Sequence, residues 1–528
     1  MRDNPLDRLT AGCAMAFCAA TLCVYPLYVD KFSNLGVTKF TAVFVLFILW
    51  CAALGASVLA TCLSLKPAWS AWGLGSYYGG LALVLVTAAG YLAVRAYAPE
   101  RGMDLLAGFT GVTVIAVTVF YVLNIFDIDL IGTYRDTAVA ERWQFFSTLG
   151  QKDFNAGYMA VALPLVFYAF LTAQGRLRTV LYGIPACFGA LALAVVDAEG
   201  LTLGIGTAMM VLACHKDFDT KKMRRGAVVG VLFFAWAAWM HWMRANVRSQ
   251  GGTSILAKFG DIRLALPLGL VCLGIWAGLA WRARKGRPEI SLCRLGQVLT
   301  AVVLGAGALV FLLANLWPGF PSLGALDNFF VFNDDWGTYR GVAWKAAWGT
   351  WADAPLWRKL VGYGPGMMHQ AVEAWAGDAM TPRMATFYAA HNEYLEQLLS
   401  TGILGLAAWL AFVVSSLRRG FARWGSAGVA PVLLALCSYL AQAVVSIRVS
   451  MIFPEVMLLF GLLAAWSSPA PQPAPAAPAH GRRLRRKAAA VPAAAAASPR
   501  TLAITIAAAV VSMALAAVLS RVFFAAWF

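Results

Sequence analysis

Two polar residues set among aromatic and apolar ones could do chemistry in this chain: an arginine at 340 and a histidine at 391. Arg340 stands in Asn333-Asp334-Asp335-Trp336-Gly337-Thr338-Tyr339-Arg340-Gly341-Val342-Ala343-Trp344, with Trp336 four residues before it and Trp344 four after. Helical spacing predicts one shared face for these three. A guanidinium between indole walls suits phosphate oxygens, which it grips with two parallel donors, while an indole can stack on a sugar ring. The same pattern fits an interfacial tryptophan belt with a snorkelling arginine. His391 opens His391-Asn392-Glu393-Tyr394-Leu395-Glu396-Gln397, which runs into an apolar stretch from Leu398 to Phe412. A histidine at the mouth of such a helix is placed to take a proton near neutral pH. The pair His391-Asn392 fits a helix cap as well. Glu393 and Glu396, two and five residues on, share no simple helical face with His391.

Between these stretches, Gly362-Tyr363-Gly364-Pro365-Gly366 reads as a tight turn whose amides could cradle an anion. No GKS or GKT follows, so it is not a Walker loop. Upstream, Arg135, Arg142 and Lys152 surround the turn Ser147-Thr148-Leu149-Gly150, ahead of an apolar stretch holding Asn155 and Tyr158. They are candidates to line a cavity for a phosphate-bearing lipid, or they are solvated loop charges. Asp197-Ala198-Glu199-Gly200 sets acids at another boundary between apolar runs. No metal site and no cofactor are expected. The ten cysteines form no CxxC pair, and Asp334-Asp335 is the only adjacent acidic pair nearby.

The elements that must position these residues are membrane helices. Of 528 residues, 61% are hydrophobic and only 13% charged, and the mean hydropathy is +0.70. Soluble domains sit near ~45–50% and ~25% on the first two measures, so the fold class expected is an all-α polytopic transmembrane bundle. Stretches long enough to cross a bilayer fall at 10–28, 40–63, 73–94, 106–124, 156–173, 179–196, 199–214, 226–243, 264–281, 296–315, 398–416, 427–447, 450–467 and 501–524, about fourteen helices. The first is expected to be a retained helix rather than a signal peptide. The formal charge of +17 lies largely in short runs between apolar stretches, which argues for the positive-inside rule and against nucleic acid. Basic runs at 176–178, 215–225, 282–294 and 418–423 read as cytoplasmic. That puts 125–155, 197–199, 244–263 and the long segment 316–397 outside, the last as short helices on the outer face. Three units follow: a transmembrane domain over 1–467, a Pro/Ala-rich basic linker over 468–500, and a final transmembrane helix within 501–528. The linker's cluster Arg482, Arg483, Arg485, Arg486 and Lys487 suits anionic membrane lipids.

Taken together, the stretches resemble the O-antigen ligase and O-antigen polymerase superfamily of bacterial membrane glycosyltransferases. The resemblance rests on Arg340-Gly341 with Trp344, on Gly362-Tyr363-Gly364, and on His391-Asn392-Glu393-Tyr394-Leu395 followed by Gly402-Ile403-Leu404-Gly405-Leu406. Phe145 through Gly150 and on to Tyr158 also looks like the family's turn before a central helix. The resemblance implies a GT-C-like fold in the bacterial cytoplasmic membrane, with the active site facing outside. It implies transfer of a glycan from an undecaprenyl-pyrophosphate carrier to a glycan, lipid or protein acceptor, without metal or nucleotide sugar, and a direct in-line displacement there would invert the anomeric centre. In that reading Arg340 and His391 are catalytic. Arg135, Arg142, Lys152, Trp336, Trp344, Gly364, Asn392 and Glu393 contact substrate. One departure is plain: where many relatives carry Ser-Arg-Gly between paired central helices, this chain has Asp197-Ala198-Glu199-Gly200 and no arginine. The departure favours a surface-glycan polymerase over a ligase. The rival reading, a lipid-linked glycan flippase or other transporter, calls for internal repeats and charged helix centres, and the chain shows neither repeat nor mid-helix charge clusters.

Overall fold

The computed structural model describes residues 81–98, 102–134, 137–247, 249–252, 254–364 and 366–467. The expected helices at 10–28, 40–63 and 501–524, the basic linker and Arg135 lie outside the described residues.

Within them the protein is almost entirely helical, and strand is confined to one antiparallel pair, β1 (Phe145–Phe146) with β2 (Gly150–Gln151). The bundle comprises α1 (Leu81–Tyr97), α2 (Met103–Ile125), α3 (Lys152–Thr172), α4 (Gly175–Val195), α5 (Glu199–Cys214), α6 (Thr220–Asn246), α7 (Ile262–Arg284) and α8 (Cys293–Leu316). It continues, after the long connecting segment, with α12 (Glu393–Ala422), α13 (Val429–Gln442) and α14 (Phe453–Trp466). The connecting segment itself folds into α9 (Trp336–Ala352), α10 (Leu356–Val361) and α11 (Met368–Ala376), with shorter turns between them. Seven helices, α2, α3, α4, α6, α7, α8 and α12, are long and apolar enough to cross a membrane, and four shorter apolar helices join them. Each falls on a stretch expected from hydropathy. This is an all-α, multi-pass membrane protein.

Two kinds of apolar helix coexist. In α3, 83% of the most apolar window is buried, and the helix packs against α2, α4, α5 and α13. In α8 none of that window is buried and in α7 only 6%, so Val271, Val298, Leu299, Val302 and Leu304 stand exposed. Faces of that extent are stable only against hydrocarbon. With lipid as apolar as leucine, the contacts that hold α3 at the centre come from close van der Waals packing rather than expulsion of water.

The loops sort to two ends. At one end the basic runs meet. Arg225 donates to the Phe170, Leu171 and Ala173 carbonyls at 3.0, 3.1 and 2.8 Å and to Thr179. Ser291 donates to the Lys216 carbonyl, and the His215 ring stacks on Trp424. At the other end, Gln250 N donates to the Ile125 carbonyl, Ile255 N to Glu199, and Arg340 faces Asp153. The segments expected to share a side therefore do share one.

Candidate functional site

Arg340 is delivered by a break in α9. Gly337, Thr338 and Tyr339 hold φ of 59°, 64° and 68°, the left-handed region that non-glycine residues occupy only at a cost. The turn folds the chain back so closely that a Cβ on Gly341 would sit 1.9 Å from the Asn333 carbonyl oxygen, so only glycine fits there. The Arg340 Nη1 donates to the Gly337 carbonyl at 2.7 Å, and Nη2 lies 3.7 Å from the Asp153 carboxylate in the first turn of α3. Its Nε is buried without a hydrogen-bond partner.

The expected indole walls are not built. The left-handed turn interrupts the four-residue register, and Trp336 and Trp344 turn to each other, ring centroids 4.8 Å apart, with Phe332 beside both. Among the described residues, no aromatic ring holds Arg340 in a cation–π contact. A backbone carbonyl and an acid hold it instead.

His391 also sits on left-handed backbone, with φ of 50°. Its Nδ1 lies 3.0 Å from the Ala389 carbonyl oxygen, and the ring meets the edge of Phe387. A carbonyl can only accept, so Nδ1 carries the proton and Nε2 keeps its lone pair. Burial pushes the imidazole's pKa down, Arg340 pushes it further, and the Ala389 carbonyl and Asp153 partly oppose them. The ring is therefore neutral at pH 7, and Arg340, Asp153 and His391 lie within electrostatic reach of one another. The cap belongs to Asn392, whose Oδ1 accepts from Tyr394 N and Leu395 N at 2.9 and 3.1 Å. The cap and the imidazole with an open Nε2 lone pair thus belong to two different residues.

Other candidates have different surroundings. The Glu393 carboxylate is buried, accepting from the Tyr439 hydroxyl and from Arg448 Nε, while Arg448 Nη1 donates to Gln397. It anchors α12 to α13 rather than facing a ligand. Gly364 does not cradle an anion: its amide and that of Tyr363 donate to the Ser400 and Leu399 carbonyls at 2.9 Å each. The interruption of α12 at Gly402, with φ 66° and ψ −170°, accompanies this docking. Arg142 pairs with Asp127 at 3.1 Å over the Tyr134 ring, and Lys152 lies over the Trp143 ring.

Three residues near the centre were not among the site residues expected from the sequence, although Glu199 stands in the acidic turn noted there. Asp153 is one; the acid just inside a helix start, where carboxylates are favoured, gave a faint signal. Glu199 is the second: its Oε1 accepts from Ile255 N, its Oε2 is buried without a partner, and Arg340 lies within electrostatic reach. The third is Arg244, in the last turn of α6. Its Nε and Nη2 are buried without hydrogen-bond partners, and it lies near Asp197, which accepts from Gly252 N and Ser254 N. The acidic turn that lacks an arginine thus has one beside it, from a different helix. An arginine at the end of α6 opposite the basic runs was the available signal.

Among the described residues, no group of His, Cys, Asp and Glu is arranged to hold a metal ion. No family model matches the chain, and no curated protein matches it.

Proposed function

We propose that this protein is a membrane glycosyltransferase of the O-antigen ligase and polymerase type, moving a glycan from a polyprenyl-pyrophosphate carrier to an acceptor hydroxyl on the outer side of the cytoplasmic membrane. One observation carries the reading: a guanidinium with an unpartnered buried nitrogen, directly after a left-handed turn, and a neutral imidazole with a free Nε2, itself on left-handed backbone, converge at one end of the bundle. Strained backbone of this kind clusters at sites where function demands a geometry.

The chemistry needs little more. His391 Nε2 takes the proton from the acceptor hydroxyl, whose oxygen attacks the anomeric carbon. The bond from that carbon to the carrier oxygen breaks, its electron pair leaves with the pyrophosphate, and Arg340 meets the charge that develops there. A direct displacement inverts the anomeric centre. Asp153 holds Arg340 in place, and Arg244 supplies a second cation near the acidic turn. A GT-C-like architecture belongs to this proposal, as does the preference for a polymerase that extends lipid-linked repeat units.

The test is reconstitution of the purified protein with a defined polyprenyl-pyrophosphate oligosaccharide, followed by analysis of product length. A ladder of longer lipid-linked glycans identifies a polymerase, and transfer to lipid A–core identifies a ligase. Movement of intact donor across the bilayer, without transfer to any acceptor, would replace this reading with the transporter.

A further inference from the structure

The residues behind His391 form a chain of contacts that runs through the main chain. The amide nitrogen of Ala390 donates to Glu396 Oε2 at 2.9 Å. The carbonyl oxygen of Ala389 lies 3.0 Å from His391 Nδ1. These two groups belong to one peptide unit, the bond joining Ala389 to Ala390. A carboxylate therefore binds the N–H of the peptide whose C=O binds the imidazole. Hydrogen bonds in series polarise one another, and an acceptor oxygen at the N–H end makes the carbonyl oxygen a stronger acceptor for the Nδ1 proton. His391 itself takes a left-handed φ of 50°. Glu396 is itself steadied one turn earlier, where Glu393 is clamped by Tyr439 and Arg448. The charged groups facing His391 are Arg340 and Asp153, and those facing Glu396 are Arg448 and Glu393.

We propose that Glu396 is a positioning residue for His391, acting through the Ala389–Ala390 peptide bond to hold the imidazole in its Nδ1–H form with Nε2 free to accept a proton. The arrangement does what a carboxylate in direct contact with a catalytic histidine does, with one peptide unit interposed. The kinetic part of the proposal rests on the transferase reading above. The tautomer does not, and it can be read without any substrate.

The experiment uses the full chain labelled with ¹⁵N-histidine. Of its five histidines, His391 is assigned by the signals missing from His391→Gln. In the native protein, above the pH at which the ring loses its proton, the His391 nitrogens should report the Nδ1–H form. Glu396→Gln retains an oxygen that can accept from Ala390 N, so it should keep that tautomer and most of the native kcat. Glu396→Ala should lose the single tautomer, and its kcat should fall roughly 10–100-fold, by analogy with groups that orient a metal-bound histidine from behind. Donor KM should stay within about twofold of native.

A native His391 in the Nε2–H form overturns the proposal. So does Glu396→Ala with native tautomer and native kcat. Where Glu396→Ala does not accumulate in the membrane, Glu396→Met decides: it fills the glutamate's space without an acceptor, and native tautomer with native kcat there overturns the proposal. Full transfer activity in His391→Gln ends the transferase mechanism instead, and leaves the tautomer measurement standing.

Discussion

Two arginines at opposite ends of the bundle show what separates structure from chemistry here. Arg225, among the basic runs, sits beside the end of α3 and donates to three backbone carbonyls and a threonine hydroxyl. Arg340, at the other end, has one carbonyl, an acid at 3.7 Å and an Nε with no hydrogen-bond partner. The backbone follows the same division. All five non-glycine residues with left-handed φ among the described residues, Asp127, Ser147, Thr338, Tyr339 and His391, lie at the Arg340 end. At the Arg225 end, left-handed positions such as Gly175, Gly286 and Gly428 are glycines. A cation that closes off a helix end is satisfied by it and stabilises the bundle. In the proposed function, a cation held beside a strained turn with a donor left over meets a ligand that brings its own acceptors.

The largest expected effect tests the site end directly. His391→Ala should accumulate normally and bind donor lipid, while transfer falls roughly 10²–10⁴-fold, the range for a positioned proton acceptor. The native pH–rate profile sharpens the point. Because burial and Arg340 lower the imidazole's pKa, transfer should rise with pH along a limb whose midpoint lies below the ordinary histidine value of about 6.5. Arg340→Gln removes one of those causes, so the limb of its residual activity should move up. A native midpoint above 6.5 would contradict the assignment of that limb to His391.

Arg340→Lys comes next. It keeps the charge but loses the paired donors, and transfer should drop about 10²–10³-fold, comparable to removing one donor from an oxyanion site. Near-native turnover with lysine would reduce Arg340 to an interface anchor and erase the contrast between the two ends.

Arg225→Gln probes the other side of the contrast. The lost charged hydrogen bonds should lower stability by about 1–3 kcal/mol, read as a lower melting temperature in detergent. Transfer per folded molecule should be unchanged. A selective loss of turnover there would mean that the ends do not divide the work as argued. The smallest effect belongs to Asn392→Ala, which removes the cap of α12 and should cost ~0.5–2 kcal/mol, again read as melting temperature. If Asn392→Ala reduced transfer as far as His391→Ala does, the cap and the proton acceptor would not be separate residues.

The amino-acid sequence alone determined the described helices and which of their connections lie together. Bilayer thickness demands apolar runs of a set length, and each described spanning helix is such a run. The Arg- and Lys-rich connections of this chain are local features too, so their grouping at one end could be read directly. Arg340 and His391 were also legible, since each stands out by type beside an apolar helix. Their convergence was not. It depends on how α9 and α12 pack beside α3, and contacts between distant segments leave no period in the chain. The placing of Asp153 against Arg340, and of Arg244 beside the acidic turn, was illegible for that reason. Local irregularity defeated the helical spacing of Trp336, Arg340 and Trp344, because three left-handed residues rotate the indoles away from the guanidinium. The same holds for Gly364 and Glu393: their residue types suited a ligand, but backbone carbonyls of α12 engage one, and Tyr439 and Arg448 engage the other. Only tertiary packing decides which polar groups are already partnered and which, like the Arg340 Nε, are not.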